Sequence, residues 1–500
     1  MFVVVGRRGE AIMERKKKTT VVLYPGVGVG HLSPMLELAK NLLRHSGGAV
    51  DVAVVLVESP FGDPGFAAAV ARARSSHTSV SFHVLPTPTP PPPPASGDDD
   101  DHHVVELFRY LRATNAPLRD LLRSLLPSPS PSSAAASRPP HAHALVLDMF
   151  CAHALDVADE LSIPAYFLFA SGAAGLAVFL ALPGVLPFRD LGDDAILPFA
   201  GVPPIKASDL PPGLADDGAL CQASLRLAAR VPDARGILVN TFEALEPPAV
   251  QALRDGLCVH DGRPTPPVYC VGPLVSPGGA AAAAGDDGRH ECLRWMDAQP
   301  ERSVVFLCFG SLGTFPWTQL AEIAAGLESS GERFLWVVRS PPGEQSDDLD
   351  ELLPAGFMER TKGRGLAVKS WAPQVEVLRH RAAGAFVTHC GWNSTLEGVA
   401  AGLPLLCWPL YAEQGLNKVF VVEEMRLGVE MAKDGEGFVS AEEVEKKVRW
   451  VMGDSDGARE LRERAAAARD KAAEALAEGG TSQAAFVEFI KDLEASSNNV

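Results

Sequence analysis

The chain has 500 residues, 47% of them hydrophobic, and a formal net charge of −17. That length exceeds one ordinary hydrophobic core and sets a prior of about two or three domains. The negative balance argues against nucleic acid or an anionic membrane surface as the main partner, because phosphate-tracking proteins carry a basic face.

Residues 1–18 run from a short apolar start into charges, the reverse of a secretory signal, and read as a flexible extension. Strand-like apolar runs then recur at 19–25, 50–58, 80–86, 144–148, 165–170 and 236–241, with helical patterns such as Met35–His45 and Glu106–Leu126 between them. Such alternation implies a parallel sheet covered on both faces. The first run ends in Gly26-Val27-Gly28-Val29-Gly30-His31. A dinucleotide fingerprint would need glycine where His31 stands, which weakens a nicotinamide oxidoreductase reading that Glu58 keeps open. A histidine just past the carboxyl end of the first strand faces the ligand crevice of an open α/β sheet; its alternative is a helix cap. Asp148, ending a later strand at the same sheet edge, could fix the tautomer of His31 and stabilise its imidazolium, or could simply cap the helical pattern 151–161.

The stretches 86–101 and 127–140 are rich in proline, serine and aspartate and read as surface loops. Ile163–Phe188 carries no charge and is long enough to span a bilayer, but its glycines and prolines divide it into a buried strand and a buried helix, with no transmembrane segment. The glycine- and alanine-rich run 278–285 marks a linker. The implied division is an extension (1–18), a first domain (19–272), a linker (273–288), a second domain (289–478) and a C-terminal helix with its tail (479–500). The eight cysteines are scattered without a C-x-x-C pair, the usage of reduced thiols in a cytoplasmic protein.

A second strand series follows at 304–311, 333–339, 365–371, 385–389 and 404–408, so the fold class is α/β, with two doubly wound Rossmann-like domains facing across a cleft. Ser311 lies in a small-residue turn after the first of these and could donate to a phosphate; Phe309 breaks the G-x-S-x-G pattern of a hydrolase elbow. His389 and Cys390 are adjacent on a strand end and point to opposite faces, which disfavours a thiol dyad. Asp348-Leu349-Asp350 has a spacing used by metal-dependent transferases, yet no apolar strand precedes it, and it reads as a solvated loop. The segment 388–401 runs from strand through a tight turn into a helix placed at 395–401, an anion-binding corner.

The stretch Trp371–Gln414 resembles, without a gap, the 44-residue signature box of the plant family 1 UDP-sugar glycosyltransferases. Further matches are Gly30-His31-Leu32-Ser33-Pro34, Asp148, Asn240-Thr241-Phe242-Glu243, Val271-Gly272-Pro273, Trp295-Met296-Asp297 and Phe309-Gly310-Ser311. The resemblance implies the GT-B arrangement and a metal-independent inverting transfer of glucose from UDP-glucose, a co-substrate, to a small phenolic acceptor of the flavonoid or anthocyanidin kind. By position it makes Trp371 the uracil stack, with Ala372 and Gln374 serving base and ribose, and Glu397 the acceptor of the ribose diol. His389, Asn393, Ser394 and Ser311 match diphosphate binders, while Trp392, Glu413 and Gln414 match positions that hold the sugar hydroxyls. Ser171 stands near the sugar, and His31 with Asp148 becomes the catalytic pair. In the first domain Met149, Phe150 and Phe179 could wall a flat acceptor pocket, and core packing explains the same residues equally well. No resident cofactor, metal or nucleic acid is implied, and the chain is expected to act as a monomer. A catalytically silent sugar-binding module would keep Trp371 and Glu397 without needing His31 and Asp148.

Overall fold

A computed structural model of the chain describes residues 19–61, 64–88, 103–125, 142–186, 192–211, 213–214, 218–278, 290–344, 346, 348–435 and 437–497. The extension 1–18, the stretch 127–140, most of 86–101 and most of the linker lie outside them.

The first half builds a seven-stranded sheet from β1 (Thr19–Tyr24), β2 (Val50–Leu56), β3 (Val80–Val84), β4 (Ala142–Asp148), β5 (Ala165–Phe169), β8 (Gly236–Val239) and β9 (Val268–Cys270). Its spatial order is β3-β2-β1-β4-β5-β8-β9, and every neighbouring pair is parallel. A separate two-stranded antiparallel piece, β6 (Ile196–Leu197) with β7 (Ile205–Lys206), lies between β5 and β8 in the chain. The second half builds a six-stranded parallel sheet from β10 (Val304–Cys308), β11 (Arg333–Val338), β12 (Gly365–Lys369), β13 (Ala383–Thr388), β14 (Leu405–Cys407) and β15 (Gly428–Glu430), in the order β12-β11-β10-β13-β14-β15. The central strands β1, β10 and β13 are mostly apolar and buried on both faces, the pattern a helix-covered parallel sheet requires. β9, β15, β6 and β7, at two or three residues each, are too short to show a period in the sequence.

Several helices depart from the pattern-based expectation. The first begins at Val29 rather than Met35, placing His31 in its opening turn. The pattern at 106–126 is two helices, His103–Ala113 and Asn115–Leu125, because Pro117 has no N–H for the Ala113 carbonyl and sits instead in the first turn of a new helix. Met149–Ala154 is a tight 3₁₀ segment, and the α-helix proper runs over Leu155–Leu161. The uncharged 163–188 stretch divides into β5 and the helix Ala173–Val185. No helix among the described residues is long and apolar enough to cross a membrane. Asp348-Leu349-Asp350 is a helix start, with Asp348 accepting from the Asp350 amide at 2.9 Å.

The two halves share their cores. Leu416, Val419 and Phe420 from the second half join the core beneath β4, β5 and β8, while Phe242 and Leu245 from the first join the core of the second sheet. The C-terminal helix Thr481–Ser497 turns back onto the first sheet. There Phe486, Phe489, Ile490 and Leu493 pack with Val21, Leu38, Leu42, Tyr166 and Tyr269.

Candidate active site

The site is built at the carboxyl ends of both sheets, where an open α/β sheet presents its loops. On the first half, β1 passes into a turn whose Gly26 (φ 66°) and Gly28 (φ 107°) occupy the left-handed region that favours glycine. At Gly26 a Cβ would also press on the Cys151 sulfur at 3.0 Å. The turn delivers His31 into the first turn of its helix, opposite the end of β4. His31 Nδ1 lies 2.7 Å from Asp148 Oδ2, and Asp148 is 1% exposed. The other carboxylate oxygen accepts from the Phe150 amide at 2.9 Å, so Asp148 both pairs with the histidine and caps the segment after it. Burial lowers the His31 pKa, but the charge and hydrogen bond of Asp148, with the more distant charge of Glu413, outweigh it and leave the imidazole above its ordinary value. Bonding at Nδ1 leaves Nε2 as the free nitrogen of the ring.

Phe150 packs against His31 with ring centroids 4.7 Å apart and meets Phe108 edge-on at 5.2 Å. Phe179 lies 6.2 Å from Phe169, and Met149, Phe150 and Phe179 are partly buried against the same core. The Ser171 hydroxyl is buried with no hydrogen-bond partner.

On the second half, Trp371 follows Ser370 (φ 62°) and is 54% exposed, an indole held out from the end of β12 with His290 edge-on at 5.4 Å. Ala372 behind it is buried. The Gln374 amide donates to Ser394 Oγ at 2.9 Å and to Glu397 Oε2 at 2.6 Å, joining the expected nucleoside-side residues Gln374 and Glu397 to Ser394 of the expected diphosphate side. Burial raises Glu397 to about 7, more than the Gln374 hydrogen bond and the Arg379 charge lower it. Asn393 and Glu397 also line a cavity of about 160 Å³ shared with Ser33, Leu36 and Glu37 of the first helix.

The helix expected at 395–401 starts at Trp392, so Asn393 and Ser394 lie inside its first turn. His389 is 7% exposed, its Nδ1 has no partner, and its ring lies so close to Gly310 and Gly391 that a Cβ on either would come within 2.5 Å of Nε2. Burial, aided by the charge of Arg339, lowers His389 to about 4, and the ring is therefore neutral at physiological pH. Ser311 is exposed beside Gly310.

The structure engages three expected sugar- or phosphate-side residues elsewhere. Trp392 is 3% exposed and donates its indole N–H to the Asn240 carbonyl at 2.7 Å, so the ring's one polar atom is already paired. Asn393 donates to the Gly30 carbonyl at 2.8 Å, immediately before His31. Gln414 is 3% exposed, and its amide oxygen accepts from Leu410 N and Tyr411 N at 2.8 and 3.0 Å. Glu413, next to it, is half-buried.

Glu246 is a feature that sequence reasoning missed. It is 1% exposed, and its carboxylate accepts from the Ala173 and Ala174 amides at 2.9 Å each, capping the helix that follows Ser171. A Cβ on Gly172 would sit 2.6 Å from both this carboxylate and the Trp392 ring. Asn240, by contrast, was visible in the Asn240-Thr241-Phe242-Glu243 run but without a role.

Comparison with known proteins shows the family. Residues 266–466 match the family model described as UDP-glucoronosyl and UDP-glucosyl transferase. UDP-glycosyltransferase 88F3 of Pyrus communis is 43% identical over 500 aligned residues, covering 95% of this chain and 99% of its own. The anthocyanidin 5,3-O-glucosyltransferase of a Rosa hybrid cultivar is 41% identical, covering 94% and 98%. Among solved structures, UGT2 of Phytolacca americana complexed with UDP-2fluoro-glucose and pterostilbene superposes with a TM-score of 0.80 at 34% identity, covering 95% of this chain and all of that one. These full-length similarities also displace the oxidoreductase reading of the Gly26–Gly30 turn. With two doubly wound parallel sheets and relatives 41–43% identical over nearly its whole length, the chain belongs to the plant UDP-sugar glycosyltransferases.

Proposed function

We propose that this chain transfers glucose from UDP-glucose to a hydroxyl of a small phenolic acceptor, a flavonoid or anthocyanidin, with inversion and with His31 as general base. The observation that carries this is the 2.7 Å His31–Asp148 contact at the edge of the first sheet, facing the donor half. Relatives named for anthocyanidin and phloretin glucosylation, and a fold neighbour solved with a stilbene, support the acceptor class.

In this reading Trp371 stacks on uracil, worth about 1–3 kcal/mol by analogy with base–aromatic contacts. The Ala372 backbone and Gln374 hold base and ribose, and the Glu397 carboxylate accepts from the ribose diol. Ser311, His389, Ser394 and the amides of the helix start at Trp392 receive the diphosphate, with no metal required. Asn393 reaches the phosphates by exchanging its bond to the Gly30 carbonyl for one to the ligand. Glu413 and Gln414, with Ser171 and the backbone at Trp392, hold the sugar, while Met149, Phe150 and Phe179 wall the acceptor. His31 Nε2 takes the acceptor proton as the oxygen attacks the anomeric carbon, and Asp148 stabilises the imidazolium. A silent binding module would have no use for that buried carboxylate behind a histidine. The same reading makes the protein a cytoplasmic monomer.

The test is a mass-spectrometric screen of phenolic acceptors with UDP-glucose, UDP-galactose and UDP-glucuronate, run beside His31→Ala. Glucosides from the parent protein and a loss of roughly 10²- to 10⁴-fold in the variant are expected. A fully active His31→Ala would remove His31 from the mechanism, and no product from any acceptor would remove the enzyme reading.

A further inference from the structure

Arg339 directly follows β11, at the same sheet edge as the ends of β10 and β13. It is half-buried, and its Nε donates to the Gly310 carbonyl at 3.1 Å. Gly310 in turn packs against His389 Nε2. Neighbouring arginines are committed: Arg333 to Gln299, Arg360 to Glu328, and Arg364 to the carbonyls of Leu327, Glu328 and Glu332. Among the described residues no carboxylate lies within ion-pair distance of Arg339, in a chain whose formal charge is −17. A half-buried guanidinium with no counter-ion among the described residues, at the carboxyl ends of parallel strands, is arranged for an anionic ligand.

We propose that Arg339 binds the donor diphosphate and stabilises it as it leaves, an assignment that rests on the UDP-sugar reading above. In the transfer the bond from the anomeric carbon to the diphosphate oxygen breaks and its electron pair stays on UDP. The acceptor oxygen forms the new bond to carbon, and its proton passes to His31. The diphosphate therefore gains a full negative charge, whereas a helix N-terminus offsets only about half a charge. His389 is neutral at physiological pH and can offer only an N–H, whereas Arg339 brings a permanent positive charge. The Arg339 charge lowers the pKa of His389 and opposes the burial that raises Tyr411 and Cys308, all three at or beyond the carboxyl ends of strands of this sheet.

Calorimetric titration of the full chain with UDP and with uridine, for the parent, Arg339→Met and Arg339→Lys, tests this role, since lysine keeps the positive charge but lacks the Nε donor that tethers the Gly310 turn. Arg339→Met should weaken UDP binding by about 10- to 100-fold, the range of hydrogen bonds to charged groups, and leave uridine binding unchanged. Its kcat should fall by about 10²- to 10³-fold, with Arg339→Lys intermediate. Unchanged UDP affinity in Arg339→Met, or equal losses for UDP and uridine, would overturn the assignment while leaving the family reading intact. A parent protein that binds neither ligand would overturn both.

Discussion

His31 and Asp148 stand 117 positions apart in the chain, yet each was legible because each ends or follows a strand of one parallel sheet, and such ends converge. The two readings of Asp148, partner and cap, proved compatible, since a carboxylate has two oxygens and each has its own donor. The pair carries a pH prediction. His31 must be neutral to act as base, and its pKa is held above the ordinary value, so kcat/KM should fall as the pH drops through that raised pKa. Asp148→Asn removes the opposing charge and leaves burial, which lowers the pKa. The acid limb should then move to lower pH while the plateau falls by up to about 10²- to 10⁴-fold. A pH–rate profile decides it, and an acid limb that stays in place would dissociate Asp148 from the titration. What the sequence did not disclose were commitments made across the halves. Trp392 looks like any aromatic in a binding box until Asn240, 152 positions away, takes its N–H.

Elements formed largely where hydrophobic period and length agreed, and failed to be legible where either was short. Strands of two or three residues carry no period, and the helix starts at Val29 and Trp392 follow turns, one rich in glycine and one ending in Gly391, that mask the first helical residues. The start of the helix Ala173–Val185 depends on a contact no local pattern contains: the buried Glu246 carboxylate on two amides, with Gly172 wedged between it and the Trp392 ring. Gly172→Ala should therefore destabilise the protein by about 1–3 kcal/mol, the usual cost of overpacking, seen as a lower denaturant midpoint. An unshifted midpoint would mean that the ring and the carboxylate can both retreat at little cost.

At the scale of the whole molecule, the sequence separated two strand series and a final helix, but not where that helix rests. Amphipathic helices show a face, not the surface they cover. Phe489 is fully buried, with ring centroids 5.0 Å from Tyr166 and 5.6 Å from Tyr269, and Asp492 pairs with Arg235 and with the Tyr166 hydroxyl. Phe489→Ala should cost about 3–5 kcal/mol, measured as a shift of the unfolding transition of the first half. A shift confined to the second half would contradict the packing.

The same helix sets an order of events during synthesis. All seven strands of the first sheet have been made by Cys270, but the apolar face that Phe486, Phe489 and Leu493 cover must wait until the entire second sheet has left the ribosome. The half that carries His31 thus begins folding first and finishes last. A chain that stops before residue 481 would lack the Phe489 ring that covers Tyr166 and Tyr269.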